Sequence, residues 1–319
     1  MSGVDGFSGV VLIQRGDKNL LAIGGMAGPG PDAACTVDTR FQIASVSKQF
    51  TATAVLLLAE RGALSVRDPV RRWLPSCPAA WDQITVHHLL THTAGLVHWR
   101  QLPGLDLTTR ISTAELLGVL RDMPLLFPPG YRHFYSSPGY VLLASIVEQA
   151  SGEPYAGFLA REVFGPLGMS ATFAGDPQGQ PDLAAGHHAG SPVPSWELGT
   201  SNKGTGDVWS TVADMARWNQ AVDSGRILTA GSQQAMFTSH VEISEDQGPF
   251  HSFGYGYGWF LGAATGGHRV VYHPGDNPGF VAFNAWFPGQ DTRLVVLSND
   301  ETTDLPAILR QAVGLAHLS

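Results

Sequence analysis

The sequence predicts an α/β fold of the α+β kind: an antiparallel sheet built from both chain ends and flanked by helices, with an all-helical region inserted. Three observations predict it. Strand-like runs are confined to the two ends of the chain, helical signals dominate from Trp81 to about Val222, and no fixed-period repeat is present. One sheet then forms from the two terminal segments, with a cleft where the inserted lobe meets it. The expected division is 1–78 with 225–319 as the sheet domain and 79–224 as the helical insert.

Gly9 to Gly24 reads as two short apolar strands around a Gly16-Asp17 turn, a hairpin at the start of the fold. A Gly/Pro-rich loop, Gly25 to Asp32, follows. Ser45 opens a segment, Val46 to Arg61, whose apolar residues fall on nearly every face, so a buried helix is expected, ending at Gly62. Further helices are expected over Ile84 to Leu90, Thr113 to Leu120, Pro138 to Ser151, Tyr155 to Phe164, Val212 to Val222 and Thr229 to Phe237. Strands follow at Gly256 to Leu261, Arg269 to His273, Phe280 to Phe287 and Arg293 to Ser298, and a last helix over Leu305 to Ala316.

Bulk properties narrow the function. In 319 residues, 44% hydrophobic content is ample for a core, and 19 basic against 27 acidic residues give a net charge of -8. No basic run exceeds the pair Arg71 and Arg72, so nucleic acid is not an expected partner. Two cysteines, Cys35 and Cys77, make neither a disulfide framework nor a four-thiolate metal site, and leave one disulfide open. Met1 to Gly9 lacks the basic and apolar regions of a leader, which gives a cytoplasmic expectation unless a leader was removed. No apolar run is long enough for a membrane span.

Ser45-Val46-Ser47-Lys48 is an S-x-x-K motif at a loop-to-helix transition, and its i,i+3 spacing puts hydroxyl and ammonium on one face. A serine hydroxyl needs a base to act as a nucleophile, and a lysine serves only if burial or another cation lowers its pKa. Alone, the motif is weak evidence, because serine and lysine are common and a capping serine beside a solvated lysine accounts for it. Its surroundings decide. Phe41-Gln-Ile-Ala-Ser45-Val-Ser-Lys48-Gln-Phe-Thr51 resembles the nucleophile segment of the class C β-lactamase, DD-peptidase and family VIII esterase superfamily. Five further segments match that superfamily in order: Leu89-Leu-Thr-His-Thr-Ala-Gly-Leu96, Phe134-Tyr-Ser-Ser-Pro-Gly-Tyr140, Pro166-Leu-Gly-Met169, Gly206-Asp-Val-Trp-Ser-Thr211 and His273-Pro-Gly275. The resemblance spans nearly the whole chain.

It implies a β-lactamase/transpeptidase-like fold and a penicillin-recognising serine hydrolase that needs no metal or organic cofactor. Ser45, Lys48, Tyr135 and His273 would be catalytic. The phenol of Tyr135, in the place of the Tyr-x-Asn motif, would carry protons. His273, in the place of Lys-Thr-Gly or His-x-Gly, would orient substrate or polarise Lys48 and Tyr135. Gly275 would let a ligand approach the backbone, and the N–H groups of Ser45 and Asp276 would hold the oxyanion. Pro274, without an N–H, fits an edge strand.

Two departures qualify this. Ser137 stands where the motif has Asn, and a hydroxyl cannot supply the donor and acceptor of an amide at the same reach, which argues against strong β-lactamase activity. The first strand also begins almost at once, leaving the C-terminal helix, or a partner, to cover a sheet face that an N-terminal helix usually covers in this superfamily. His88 and His92, at i,i+4 beside His87, invite a zinc reading, but no H-E-x-x-H order exists. His187-His188 reads as a solvated loop pair. Trp99, Trp209 and Trp259 are candidates for lining the cleft, with a core role equally open for the last two. Gly254 to Gly258 lacks dinucleotide spacing, and no G-x-S-x-G elbow exists. The favoured function is an esterase or amidase acting on small esters or amides through an acyl-enzyme. A DD-peptidase, a D-aminopeptidase or a weak β-lactamase is the alternative, then an acyltransferase or a non-catalytic binder.

Overall fold

The computed structural model describes residues 6–30, 33–105, 111–193 and 203–316. The end of the Gly25 to Asp32 loop and most of the Met1 to Gly9 stretch lie outside these. The chain opens with β1 Gly9–Arg15 and β2 Lys18–Gly24, then β3 Phe41–Gln42, a 3₁₀ turn Ala44–Ser47 and α1 Lys48–Glu60. The middle holds α2 Val86–Leu90, α3 Thr113–Arg121, α4 Ser137–Ser151 and α5 Tyr155–Leu159, which continues as a π turn Ala160–Phe164. Short strands β4 Phe173–Ala174, β5 His187–His188, β6 Ser191–Pro192 and β7 Val208–Ser210 precede α6 Val212–Asp223 and α7 Ala230–Met236. The chain then runs through β8 Val241–Gln247, β9 Phe250–Tyr255, β10 Phe260–Ala264, β11 Arg269–Asn277, β12 Phe280–Phe287, β13 Thr292–Ser298 and α8 Leu305–Leu315.

Both chain ends do make one sheet. Its eight strands run β2-β1-β13-β12-β11-β10-β9-β8, and β1 pairs antiparallel with β13, Val11 opposite Val296. Side chains of β12 alternate between the faces, as the period of a strand requires. Phe280, Ala282 and Trp286 join one apolar cluster. Val281, Phe283, Ala285 and Phe287 join a second, with Ile308, Leu309, Ala312 and Val313 of α8. Among the described residues, α8 is the helix on that second face. The first cluster runs without a break from the sheet through α1 into α4 and α5, and α6 packs on β1, β12 and β13. The lobes therefore share a core across positions 79 and 224, because the buried α1 is packed from both sides.

Several local expectations are corrected. The strand placed at Gly256 to Leu261 is a turn followed by β10: a Cβ on Gly256 would lie 2.2 Å from the Met236 carbonyl oxygen. Strands β8 and β9 were not foreseen. The short α2 ends at Leu90, so His88 and His92 do not share a helix. β11 is interior in the sheet order, but its pairing with β10 stops at Tyr272, leaving Pro274 at a local edge where a missing N–H costs no ladder bond. Cys35 and Cys77 are free and buried. Among the described residues no helix is long and apolar enough to cross a membrane.

Candidate active site

The 3₁₀ turn before α1 sets the site. Ala44 takes a left-handed φ of 48°, a conformation that costs a non-glycine residue about 1 kcal/mol or more, and Ser45 follows at the floor of a cleft. Residues i and i+3 eclipse in a 3₁₀ turn, and Lys48 Nζ lies 2.8 Å from Ser45 Oγ. Lys48 also donates to the Thr205 carbonyl at 3.0 Å and sits 5.0 Å from the centre of the Tyr135 ring. The side chain has no exposure. Burial pushes its pKa well below the usual lysine range, and the Asp276 charge opposes this.

Tyr135 is carried on the segment leading into α4. His92, itself left-handed at φ 56°, packs against the Tyr135 ring, the ring centres 4.3 Å apart and the planes tilted by 37°. Its Nδ1 accepts the Ser136 N–H at 3.2 Å, and its carbonyl accepts the Phe134 N–H. The zinc reading of His92 gives way to this role: the ring supports the tyrosine segment, and among the described residues no metal-binding group of three or more donors occurs. Desolvation pushes the Tyr135 phenol up, against hydrogen bonds to Ser45 and Ser137 that lower it.

His273 departs from the substrate-orienting expectation. It is 1% exposed, its Nε2 lies 3.1 Å from the Tyr255 hydroxyl and its Nδ1 lies 2.6 Å from the Pro274 carbonyl oxygen. The carbonyl can only accept, so Nδ1 carries the proton and Nε2 accepts from Tyr255. Burial, then the Lys48 charge, lowers its pKa to about 3. The ring is a neutral prop 6.1 Å from Tyr135. Gly275 also serves differently than expected: a Cβ there would lie 2.5 Å from the Ile43 carbonyl oxygen and 3.1 Å from the Ser45 nitrogen. The glycine lets β11, rather than a ligand, approach the nucleophile turn, and so sets the backbone of Asp276 beside that of Ser45.

The cleft encloses ≈ 410 Å³, within the range of small-molecule sites. Ser45, Tyr135, Ser137 and Asp276 line it with Trp99, while Lys48, Gly275 and His273 lie behind. Trp209 and Trp259 are core residues, 1% and 0% exposed. The sequence reading missed His98, Thr205, His188 and Glu301 in the lining. His188 is not merely solvated: its Nδ1 meets the Glu301 carboxylate at 2.6 Å. No local signal joins residues so far apart in sequence. His98 Nδ1 accepts the Ser137 N–H, and the Asn277 amide donates to Gln42 and to the Gly206 carbonyl, tying the end of β11 to the turn that carries Thr205.

Comparison with known proteins agrees with this geometry. The sequence profile of the beta-lactamase family matches residues 3–318. Penicillin-binding protein 4* of Bacillus subtilis is 32% identical over 85% of this chain, which spans 64% of that protein's length. Esterase EstB of Burkholderia gladioli is 37% identical over 49% of the chain, 44% of the esterase. The crystal structure of D-amino acid amidase from Ochrobactrum anthropi superposes with a TM-score of 0.83 at 25% identity, covering 98% of this chain and 96% of that one. The chain belongs to the beta-lactamase family, a family of serine hydrolases whose members include penicillin-binding proteins and esterases.

Proposed function

We propose that this protein hydrolyses small carboxylic esters or amides through an acyl-enzyme on Ser45. The observation that carries the reading is the 2.8 Å approach of Lys48 to Ser45 on a lysine with no solvent exposure. A buried amine beside a hydroxyl favours its neutral form and so can take the proton. Ser45 Oγ then bonds to the substrate carbonyl carbon, and the oxyanion sits between the N–H groups of Ser45 and Asp276. The raised pKa keeps Tyr135 protonated, so in this scheme Lys48 is the base and Tyr135 hands a proton to the departing oxygen or nitrogen, refilled from Lys48. Water enters by the reverse path and releases the acid. Asp276, Ser137 and Thr205 border the substrate, and His273 acts as a positioning residue through Tyr255.

The small cleft favours esters and amides over long peptides. Ser137 gives a β-lactam no amide to lean on, so slow or no β-lactam turnover is expected. The test is hydrolysis of p-nitrophenyl acetate with intact-mass detection of an acetyl adduct. Ser45→Ala should lose about 1,000-fold or more of the rate and the adduct, whereas retained turnover would remove Ser45 from the mechanism. Fluorescent penicillin in parallel separates the alternatives: a stable label without turnover favours a peptidase, and rapid turnover favours a β-lactamase.

A further inference from the structure

We infer that Asp207 is a positioning residue for the base Lys48: its buried carboxylate holds the turn that presents the Thr205 carbonyl to the lysine. The inference rests on the hydrolase reading for what Lys48 does, and adds the group that aims it. A neutral amine has two N–H bonds and one lone pair. The Thr205 carbonyl can only accept, so it takes an N–H from Lys48 Nζ at 3.0 Å and leaves the lone pair for the Ser45 hydroxyl, 2.8 Å away. Whatever fixes that carbonyl therefore fixes the direction of the base.

The turn runs from Gly204 to Asp207, and neighbouring elements hold most of it. The Thr51 hydroxyl of α1 donates to the Gly204 carbonyl at 2.5 Å, the Asn277 amide of β11 to the Gly206 carbonyl at 3.1 Å, and the Gly175 N–H to the Asp207 carbonyl at 3.0 Å. The Gly204 N–H is held from within. Asp207 Oδ1 accepts it at 2.9 Å, closing the turn around the Thr205 peptide. Gly204 is left-handed at φ 75°, and a Cβ there would lie 2.5 Å from the Ala144 Cβ, so the turn is pressed onto α4 with little room to shift.

Asp207 reaches Lys48 through this turn and not through its charge. It is 4% exposed and lies outside the cleft lining, and the carboxylate charge felt by Lys48 is that of Asp276. Among the described residues no cation is paired with Asp207: the nearby Lys203 ammonium pairs with Glu148 of α4 at 2.7 Å, and the Tyr155 phenol of α5 feels the Asp207 charge. An asparagine would bond the Gly204 N–H at a smaller desolvation cost, so the acid is what needs a reason. A carboxylate accepts more strongly than an amide or a neutral acid, and burial raises the Asp207 pKa to about 7, against the opposing charge of Lys203. The hold on the turn tightens as pH rises through that value.

The test measures kcat and KM for p-nitrophenyl acetate in Asp207→Ala and Asp207→Asn from about pH 6 to about pH 8.5, with urea midpoints to confirm folding. Asp207→Ala should lower kcat by about 10- to 100-fold with KM nearly unchanged, the signature of a misaimed base. Asp207→Asn keeps an oxygen for the Gly204 N–H. It should match the native protein at the acid end and fall about threefold or more behind at the alkaline end, where the native carboxylate is ionised; this ratio carries the test if alanine fails to fold. An alanine variant with native kcat, an asparagine variant no better than alanine, or a native-to-asparagine ratio that stays flat with pH overturns the inference. Lys48 supplies a reading without chemistry. The chain has three lysines, Lys18, Lys48 and Lys203, so isotope labelling at the lysine Cε gives an NMR titration of each, assigned with Lys18→Arg and Lys203→Arg. The Thr205 carbonyl stabilises the ammonium, so Asp207→Ala should lower the Lys48 pKa further, and an unmoved titration counts against the inference. If the native protein turns over no ester, the hydrolase reading fails and this titration alone decides whether Asp207 positions Lys48.

Discussion

Lys48 combines full burial with a hydrogen bond to the candidate nucleophile, and its protonation state should govern the rate. Its pKa is depressed by burial and partly restored by the Asp276 charge. The neutral lysine is the active form, so kcat/KM should rise with pH through that depressed pKa, and Asp276→Asn should move the rising limb to lower pH. A limb that stays in place would break the assignment of Lys48 as base. His273 behaves differently. With a pKa of about 3 it is neutral wherever the enzyme is assayed, so His273→Asn should lower kcat by on the order of 10- to 100-fold through a displaced Tyr255 and Tyr135, without altering the pH profile. At this scale the sequence was legible where partners are close along the chain. Ser45 and Lys48 are one helical step apart. The support of Tyr135 by His92, and the fixing of Glu301 by His188 and Gly279, join residues from separate segments, and only the folded chain brings them together.

Among the elements, the junction of β11 with the 3₁₀ turn is the one whose spacing the site depends on. Gly275→Ala would drive a methyl against the Ile43 carbonyl, 2.5 Å away, and against the Ser45 nitrogen. Backbone cannot yield as a side-chain tip can. The substitution should cost about 1–3 kcal/mol in urea unfolding and depress kcat more than KM, since it separates Asp276 from Ser45; native-like stability and kcat would show the contact to be slack. Helices α3, α4 and α6 were legible to within a residue or two because their apolar spacing and end residues agree. Ser112 caps α3 by accepting the Glu115 N–H, and Gly152 closes α4 in a left-handed conformation. Strand β8 escaped notice because Val241–Gln247 is mostly polar and half exposed, and β9 because its buried positions include Ser252 and Gly254 while Phe253 faces out, so the pairing is fixed by neighbours rather than by a hydrophobic pattern of their own.

For the whole molecule, several histidines are held neutral by burial: His87 and His133 with pKa values lowered to about 4, and His273 to about 3. The unfolded chain binds protons on these groups near pH 6.5 and the native state does not until about pH 3–4, so native stability falls as pH drops through that window. For the fully buried His273 alone the loss, complete by about pH 3, is on the order of 5 kcal/mol. Asp207, raised by burial to about 7, works oppositely: the native state holds its proton from about pH 4 to 7, and that contribution is lost as pH rises through 7. The histidines outnumber it. The urea midpoint should therefore fall clearly between pH 7 and pH 4.5, and a flat profile would contradict neutral burial of these rings. The sheet that holds His273 also has a consequence for how the chain is made. β1 is hydrogen-bonded to β13, Arg15 opposite Thr292, and joining those ends closes a loop costing about 5 kcal/mol in entropy. Until β13 leaves the ribosome, the β1–β2 hairpin has no neighbour on its inner side and β12 has none on its outer side, so the nascent chain carries two open strand edges that its helical middle cannot cover.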